Sequence, residues 1–326
     1  DLQATIPDVL PAEKDYTRAL SLSRMAYDLE SVVSPMIAAA LLIIISFHVL
    51  FAGTVIGFFC SAALGLTVQL PSPKASEHRG IYDRTTRGMR IYLATPRLRG
   101  LLALNLAVAS ASAMVIVNTV VIVQSIYGLS QSDTAVALGV FGGGSMFAAF
   151  VLPKLLETVP DRSAMLTGAT VLVVGLFAGT ALSSYPMLLG LWFVFGVGLS
   201  LTQTPSGRLL RRSSHPEDRP SLFAAQFALS HASWLLTYPL AGWIGAKVGM
   251  TATFAALGTV AVAAVATAMY IWPSHDPNEM EHVHEKLAHD DPHIDGAKHT
   301  AMGYQHRHAY IIDSLHPEWP RSYREI

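Results

Sequence analysis

"PSPKASEHRGIYDRTTRGMRIYLATP" runs from Pro71 to Pro96, and its character decides how the rest of the chain is read. It is basic, bounded by prolines and too polar to cross hydrocarbon. The runs on either side are the opposite. Two apolar segments precede it, near 20–45 and 47–70. Six follow, near 98–126, 134–152, 163–184, 186–207, 221–246 and 250–273. Each is about as long as the roughly 20 residues a membrane helix needs. Ile81, Arg84, Arg87 and Arg90 fit either a basic stripe on a helix lying along the membrane surface or a plain linker obeying the positive-inside rule.

Composition agrees with a membrane protein. Hydrophobic residues make up 52% of the chain and charged residues 14%, against about 25% charged in an ordinary soluble domain. The net charge of −1 offers no basic face for nucleic acid. The single cysteine, Cys60, sits in an apolar run, which excludes an internal disulfide and a Cys-rich zinc site. No cofactor or catalytic group is expected, and the chain does not read as an enzyme. Glycine recurs inside the spans, in "FGGGSMFAAF" (141–150) and "FVFGVGLSL" (193–201), where small residues let membrane helices approach closely.

Lysine and arginine orient the spans. All but Lys247 of the 22 fall in alternate loops, at the chain start or in the tail. That side is expected to be cytoplasmic, so the tail is too. Four regions are expected: 1–70, the end of a first helix bundle; 71–96, a cytoplasmic linker; 97–274, a six-helix bundle; and 275–326, a cytoplasmic tail.

A basic central loop followed by six helices resembles the major facilitator superfamily, whose members join two six-helix bundles through a long cytoplasmic loop. The resemblance implies an all-α membrane protein with about eight spans here, and an N-terminally truncated fragment lacking its first four helices. "YTRALSLSRMAYDLESVVSPMIAAALL" (16–42) looks like a family fifth helix, with Ser34 and Ala38–Ala39 near where exporters carry a Gly-Pro and paired glycines. "PKLLETVPDRSAML" (153–166) holds Asp161 and Arg162 where the family repeats a cytoplasmic Asp-Arg loop. "TIPDVLPAEKDYTRALSLSR", "IYLATPRLRGLLALNLAVA" and "TPSGRLLRRSSHPEDRPSLFAAQFALSHASWLLTYPLAGW", with the His-rich tail, resemble the bacterial nickel-resistance exporters of the superfamily. This implies a secondary transporter in a bacterial inner membrane that expels nickel or cobalt in exchange for protons. An exporter of a small organic compound, and a membrane-anchored metal sensor or assembly partner, are the competing readings.

Charges embedded in a membrane are costly and are functional candidates. Asp28 and Glu30 qualify. They stand about 200° apart on a helix and cannot clamp one ion together. Arg24 lies four residues before Asp28, on the same face, and fits an ion pair. Glu30 shares a face with Ser34 and Ala38 and is the candidate for proton coupling, with a hydrogen bond to a neighbouring helix as the alternative. Gln226, Ser230, Ser233 and Thr237 recur at helical spacing within an apolar span, with His231 at the edge. Together with Asn105, Asn118 and Gln203 they are expected either to line a solute path or to glue helices together.

The tail "HVHEKLAHDDPHIDGAKHTAMGYQHRHAY" (282–310) holds seven histidines among acidic residues. A zinc-protease reading fails, because His284 and His289 are five apart and fall on different helical faces. His282, His284, His289, His293, His306 and His308 remain as ligands for a divalent transition metal. The polar composition predicts a segment without order of its own.

Overall fold

The computed structural model describes residues 2–41, 44–67, 81–277, 279–284, 287 and 291–320. Two helices, α1 (Leu2–Val9) and α2 (Glu13–Leu41), open the chain, followed by α3 (Phe47–Thr67). The helix α4 (Ile81–Ala94) lies in the basic stretch and breaks at Thr95, where Pro96 starts α5 (Pro96–Val120). Proline suits the first turn, whose N–H groups have no partner within the helix. The α5 helix continues as a π-helical turn to Ile126. Then come α6 (Gln131–Leu155), α7 (Asp161–Ala178), α8 (Tyr185–Gln203), α9 (Ser206–Arg212), α10 (Arg219–Lys247) and α11 (Met250–Ile271).

A helix stands at each of the eight expected spans. Six of these helical stretches, at 47–67, 96–126, 131–155, 161–181, 185–212 and 250–271, are apolar and long enough to cross a membrane. The other two, α2 and α10, have 29 residues each, about 43 Å at the usual rise. They fall short in apolarity because they carry the charges and the polar stripe singled out in the sequence.

Two glycine-rich stretches form a close crossing of α6 and α8. A Cβ on Gly144 of α6 would sit 2.1 Å from the Phe193 carbonyl oxygen of α8, and one on Gly196 would sit 2.0 Å from that of Phe141. Backbone meets backbone, so only glycine fits at either position. The α7 helix packs on the other side of α8, while α5 holds α10 and α11. The core centres on Trp192, Phe195, Phe254, Leu104 and Met114, all buried. By contrast, α3 has no buried residue. The α2 helix docks antiparallel on α6, with Lys14 paired to Glu157 at 3.1 Å.

The tail departs from the all-helical expectation. It is ordered as a three-stranded antiparallel sheet, in the order β1 (Glu279–His284), β3 (Gly303–Ala309), β2 (Lys298–Thr300). The expectation of a tail without order rested on its polar composition. It fails because Met280, Tyr310, Ile312 and Trp319 are buried with the core of the helical body. Gly303, at φ 122°, closes the two-residue turn between β2 and β3, a conformation side-chain-bearing residues rarely adopt.

Candidate functional site

Strand geometry gathers the tail histidines. Alternate residues of a strand share a face, so His282 and His284 of β1 point one way, as do His306 and His308 of β3. The register pairs His282 with His306 and His284 with Tyr304, which lays the two pairs side by side. His293 comes from a short turn at Pro292–Ile294, whose start is held by the Asp291 carboxylate accepting from the His293 N–H. One ring nitrogen from each of His282, His284, His293, His306 and His308 lies within 4.8 Å of the others. His289 falls outside the described residues. His299 meets Tyr304 edge to face at 5.0 Å, apart from this group.

The sequence reading missed His316. It is buried, with Nε2 3.0 Å from His282 Nε2 and Nδ1 2.9 Å from Asp313. The other Asp313 oxygen lies 3.2 Å from His215 Nε2, on the connection between α9 and α10. Burial, followed by repulsion among the rings, pushes His282 down to about 3 and His306 to about 4, and lowers His284 and His293. These rings are neutral at physiological pH, the state a metal ligand requires. Burial alone would raise Asp313, but hydrogen bonds from His215 and His316 hold it well below the usual carboxylate range. The same contact raises His215.

A buried charge network seats the tail on the arginine-rich end of the helical body. Asp276 accepts from Trp272 Nε1 at 3.0 Å, pairs with Arg212, and lies 3.6 Å from the buried Arg97. Arg97 also stacks 4.9 Å from the Trp319 ring. Arg162 donates to the Trp272 carbonyl at 3.2 Å, and Asp161 pairs with Arg208 at 3.1 Å, so both residues of the Asp-Arg loop tie helix ends together.

Within the body, Asp28 is buried and pairs with Arg24 at 3.2 Å, while Arg24 Nε donates to Ser145 Oγ of α6 at 3.1 Å. Glu30 is exposed. The expected embedding of Glu30 in a helix contact does not occur among the described residues, because α2 meets α6 through the Arg24–Asp28 face. The polar stripe of α10 divides. Thr237 is fully buried and donates to the Ala109 carbonyl of α5 at 3.1 Å. Ser233 is buried and turns back on its own helix. Gln226 accepts from Tyr92 of α4, and Ser230 binds Phe227 O at 2.9 Å. His231 is exposed, its ring tilted 3.9 Å from that of Phe227 and edge to face with Trp234 at 4.9 Å. Gln203 and Asn105 are brought together across α8 and α5 at 3.4 Å. Asn105 Nδ2 is buried with no partner among the described residues. Asn118 reaches the Ala241 carbonyl of α10 at 3.5 Å.

Long apolar helices threaded by a few buried polar groups define a multi-pass membrane protein. The family model of the Major Facilitator Superfamily matches the chain over residues 2–178 and again over 101–301. The chain belongs to this superfamily and is a secondary transporter, carrying a small solute across a lipid bilayer. No curated protein matches it significantly in sequence.

Proposed function

We propose that the protein exports a divalent transition metal ion, nickel or cobalt, in exchange for protons across a bacterial inner membrane, with its tail in the cytoplasm. The observation that carries this reading is the convergence of five imidazoles within 4.8 Å at the end of the molecule where the arginines concentrate. Imidazole suits Ni, Co, Zn and Cu and not Mg or Ca. On the cytoplasmic side such a site raises the local metal concentration at the mouth of the carrier. It is not itself the path across the bilayer. Lys and Arg distribution supports the orientation.

For proton coupling, the Arg24–Asp28 pair on the α2–α6 contact is the leading candidate and Glu30 the second. A buried carboxylate paired to an arginine can exchange that partner for a proton as the helices move. Gln203, Asn105 and Asn118 supply neutral polar contacts between inner helices and are the candidates for the solute path, with Gln226, Ser230 and His231 at its edge. A second reading, export of an organic compound, is favoured by one observation. The Phe227, His231, Trp234 and Tyr238 rings follow one another along α10, and the one metal-ligating cluster among the described residues lies in the tail, not in the spans.

Cells producing the protein should tolerate more nickel or cobalt and accumulate less of it. Replacing His282 and His306 with alanine should weaken that tolerance without abolishing it. If cells gain no metal tolerance but expel organic cations, the second reading takes its place.

A further inference from the structure

The five-histidine cluster is one short of a complete coordination shell, and His316 stands where the sixth ligand belongs. Each of the six rings touches four of the others. His282 contacts His284, His306, His308 and His316 but not His293. His284 contacts His293, His306 and His316 but not His308. His293 contacts His306, His308 and His316, and His308 contacts both His306 and His316. The missing contacts are three opposed pairs: 282 with 293, 284 with 308, and 306 with 316. Six points, each adjacent to four and opposite one, are the vertices of an octahedron.

Distances agree. His282 Nε2 lies 3.1 Å from His284 Nε2, 3.2 Å from His306 Nε2 and 3.0 Å from His316 Nε2. An octahedral edge is √2 times the bond, about 3.0 Å for a metal–imidazole bond of about 2.1 Å, while a tetrahedral edge is about 3.4 Å. One nitrogen carries one N–H or one lone pair, so three such neighbours cannot all be hydrogen bonds. The Nε2 atoms of His293 and His308 are buried and have no hydrogen-bond partner among the described residues. A cation at the centre would satisfy them together.

We infer that His282, His284, His293, His306, His308 and His316 form an octahedral, all-imidazole site for a six-coordinate divalent cation, nickel or cobalt before zinc. This rests on the metal reading above and narrows it. Six nitrogens exclude magnesium and calcium, which take oxygen ligands. Zinc sites are almost always four-coordinate, and copper(II) prefers tetragonal geometry. Among the ions left, affinity rises from manganese through iron and cobalt to nickel. Asp313 is the positioning residue. It accepts from His316 Nδ1, which turns Nε2 towards the centre, and its other oxygen meets His215 of the helical body. A carboxylate behind a metal-bound histidine orients the ring and raises its basicity. The bound cation therefore fastens the tail to the connection between α9 and α10.

The test uses the intact protein in detergent, loaded with cobalt(II). The expected visible spectrum is the weak, pink one of six-coordinate cobalt, and X-ray absorption on the nickel-loaded protein should give six nitrogen neighbours with imidazole scattering. His316→Ala should deepen the cobalt colour towards a lower-coordinate spectrum and weaken nickel binding at least tenfold. Asp313→Asn should weaken it by roughly 10–100-fold, and His299→Ala should leave it unchanged. Wild-type protein that binds no metal defeats the metal reading itself. Wild-type protein that binds cobalt with an intense four-coordinate spectrum, and is indifferent to His316→Ala, overturns the octahedral site alone.

Discussion

At the scale of single residues, the Arg24–Asp28 pair is the sharpest case. Asp28 has 5% of its side chain exposed and Arg24 20%. Removing one member of a buried pair leaves the other charge uncompensated, at about 3–5 kcal/mol, whereas replacing both by apolar groups is often nearly neutral. Arg24→Met should therefore lower the melting temperature in detergent markedly, and Arg24→Met with Asp28→Leu should restore most of it. A double variant no more stable than the single one would show that the pair is not the unit. The spacing of four made this pair legible in the sequence. The exposure of Glu30 was not legible, because a helical wheel tells which residues share a face, not which face is covered. The same limit explains α10, where one polar stripe became Thr237 bound to α5 at its buried end and Ser230 bound to its own helix.

At the scale of elements, the α6–α8 crossing depends on Gly144 and Gly196. Gly196→Leu has no space against the Phe141 carbonyl and should abolish accumulation of folded protein in membranes. Gly190 of the same helix has nothing within 4 Å of its would-be side chain, so Gly190→Leu should be tolerated. "FGGGSMFAAF" and "FVFGVGLSL" announced a close approach, although not that they approach one another.

The tail sheet makes a pH-dependent prediction of its own. His282, His284, His293 and His306 are all lowered when folded, His282 to about 3 and His306 to about 4. Their ordinary value is near 6.5. Below it, the undocked tail takes up protons that the docked tail refuses, so acid favours undocking. Stability of the metal-free tail is whole above about pH 6.5 and falls as pH drops towards 4. His215 is raised and opposes this, because its bond to Asp313 is strongest below its own folded value and fades as pH rises through it. Four rings outweigh one. Tryptophan emission, with Trp319→Phe as the blank, should report loss of the buried Trp319 environment on acidification without metal. Undocking only at alkaline pH would contradict the sign. The sheet escaped the sequence reading because the tail was judged by its polar composition, and the spacing of "HVH" and "HRH" was not weighed. On a strand, residues two apart share a face, and these two pairs are a strand signature. His293 was a candidate by residue type alone, since a turn brings it in, and His316, which the segment after β3 brings in, was missed.

At the scale of the whole molecule, Asp276 joins the start of the tail to the helices, as Asp313 does further on. Asp276 holds Trp272, Arg212 and the buried Arg97. A chain ending after Pro277 keeps this network, while one ending after Pro273 takes Asp276 from the buried Arg97. The shorter form should be distinctly less stable to heat than the longer, although they differ by only a few residues. Equal stability would mean that the network does not hold the body. The alternation of apolar runs and the lopsided placement of lysine and arginine made the helical architecture readable from the sequence. The solute was not readable, because the residues proposed to line its path, such as Gln203 and Asn105, are ordinary amides, which packing uses as freely as transport does.

Nickel movement in sealed proteoliposomes, driven by an imposed proton gradient and followed by a metal-sensitive dye inside, tests the central claim most directly. The account predicts gradient-dependent nickel transport that collapses with Asp28→Asn and persists, at lower sensitivity to dilute nickel, when the tail histidines are replaced. Protein that binds nickel at its tail yet moves none across the membrane under any gradient would contradict it.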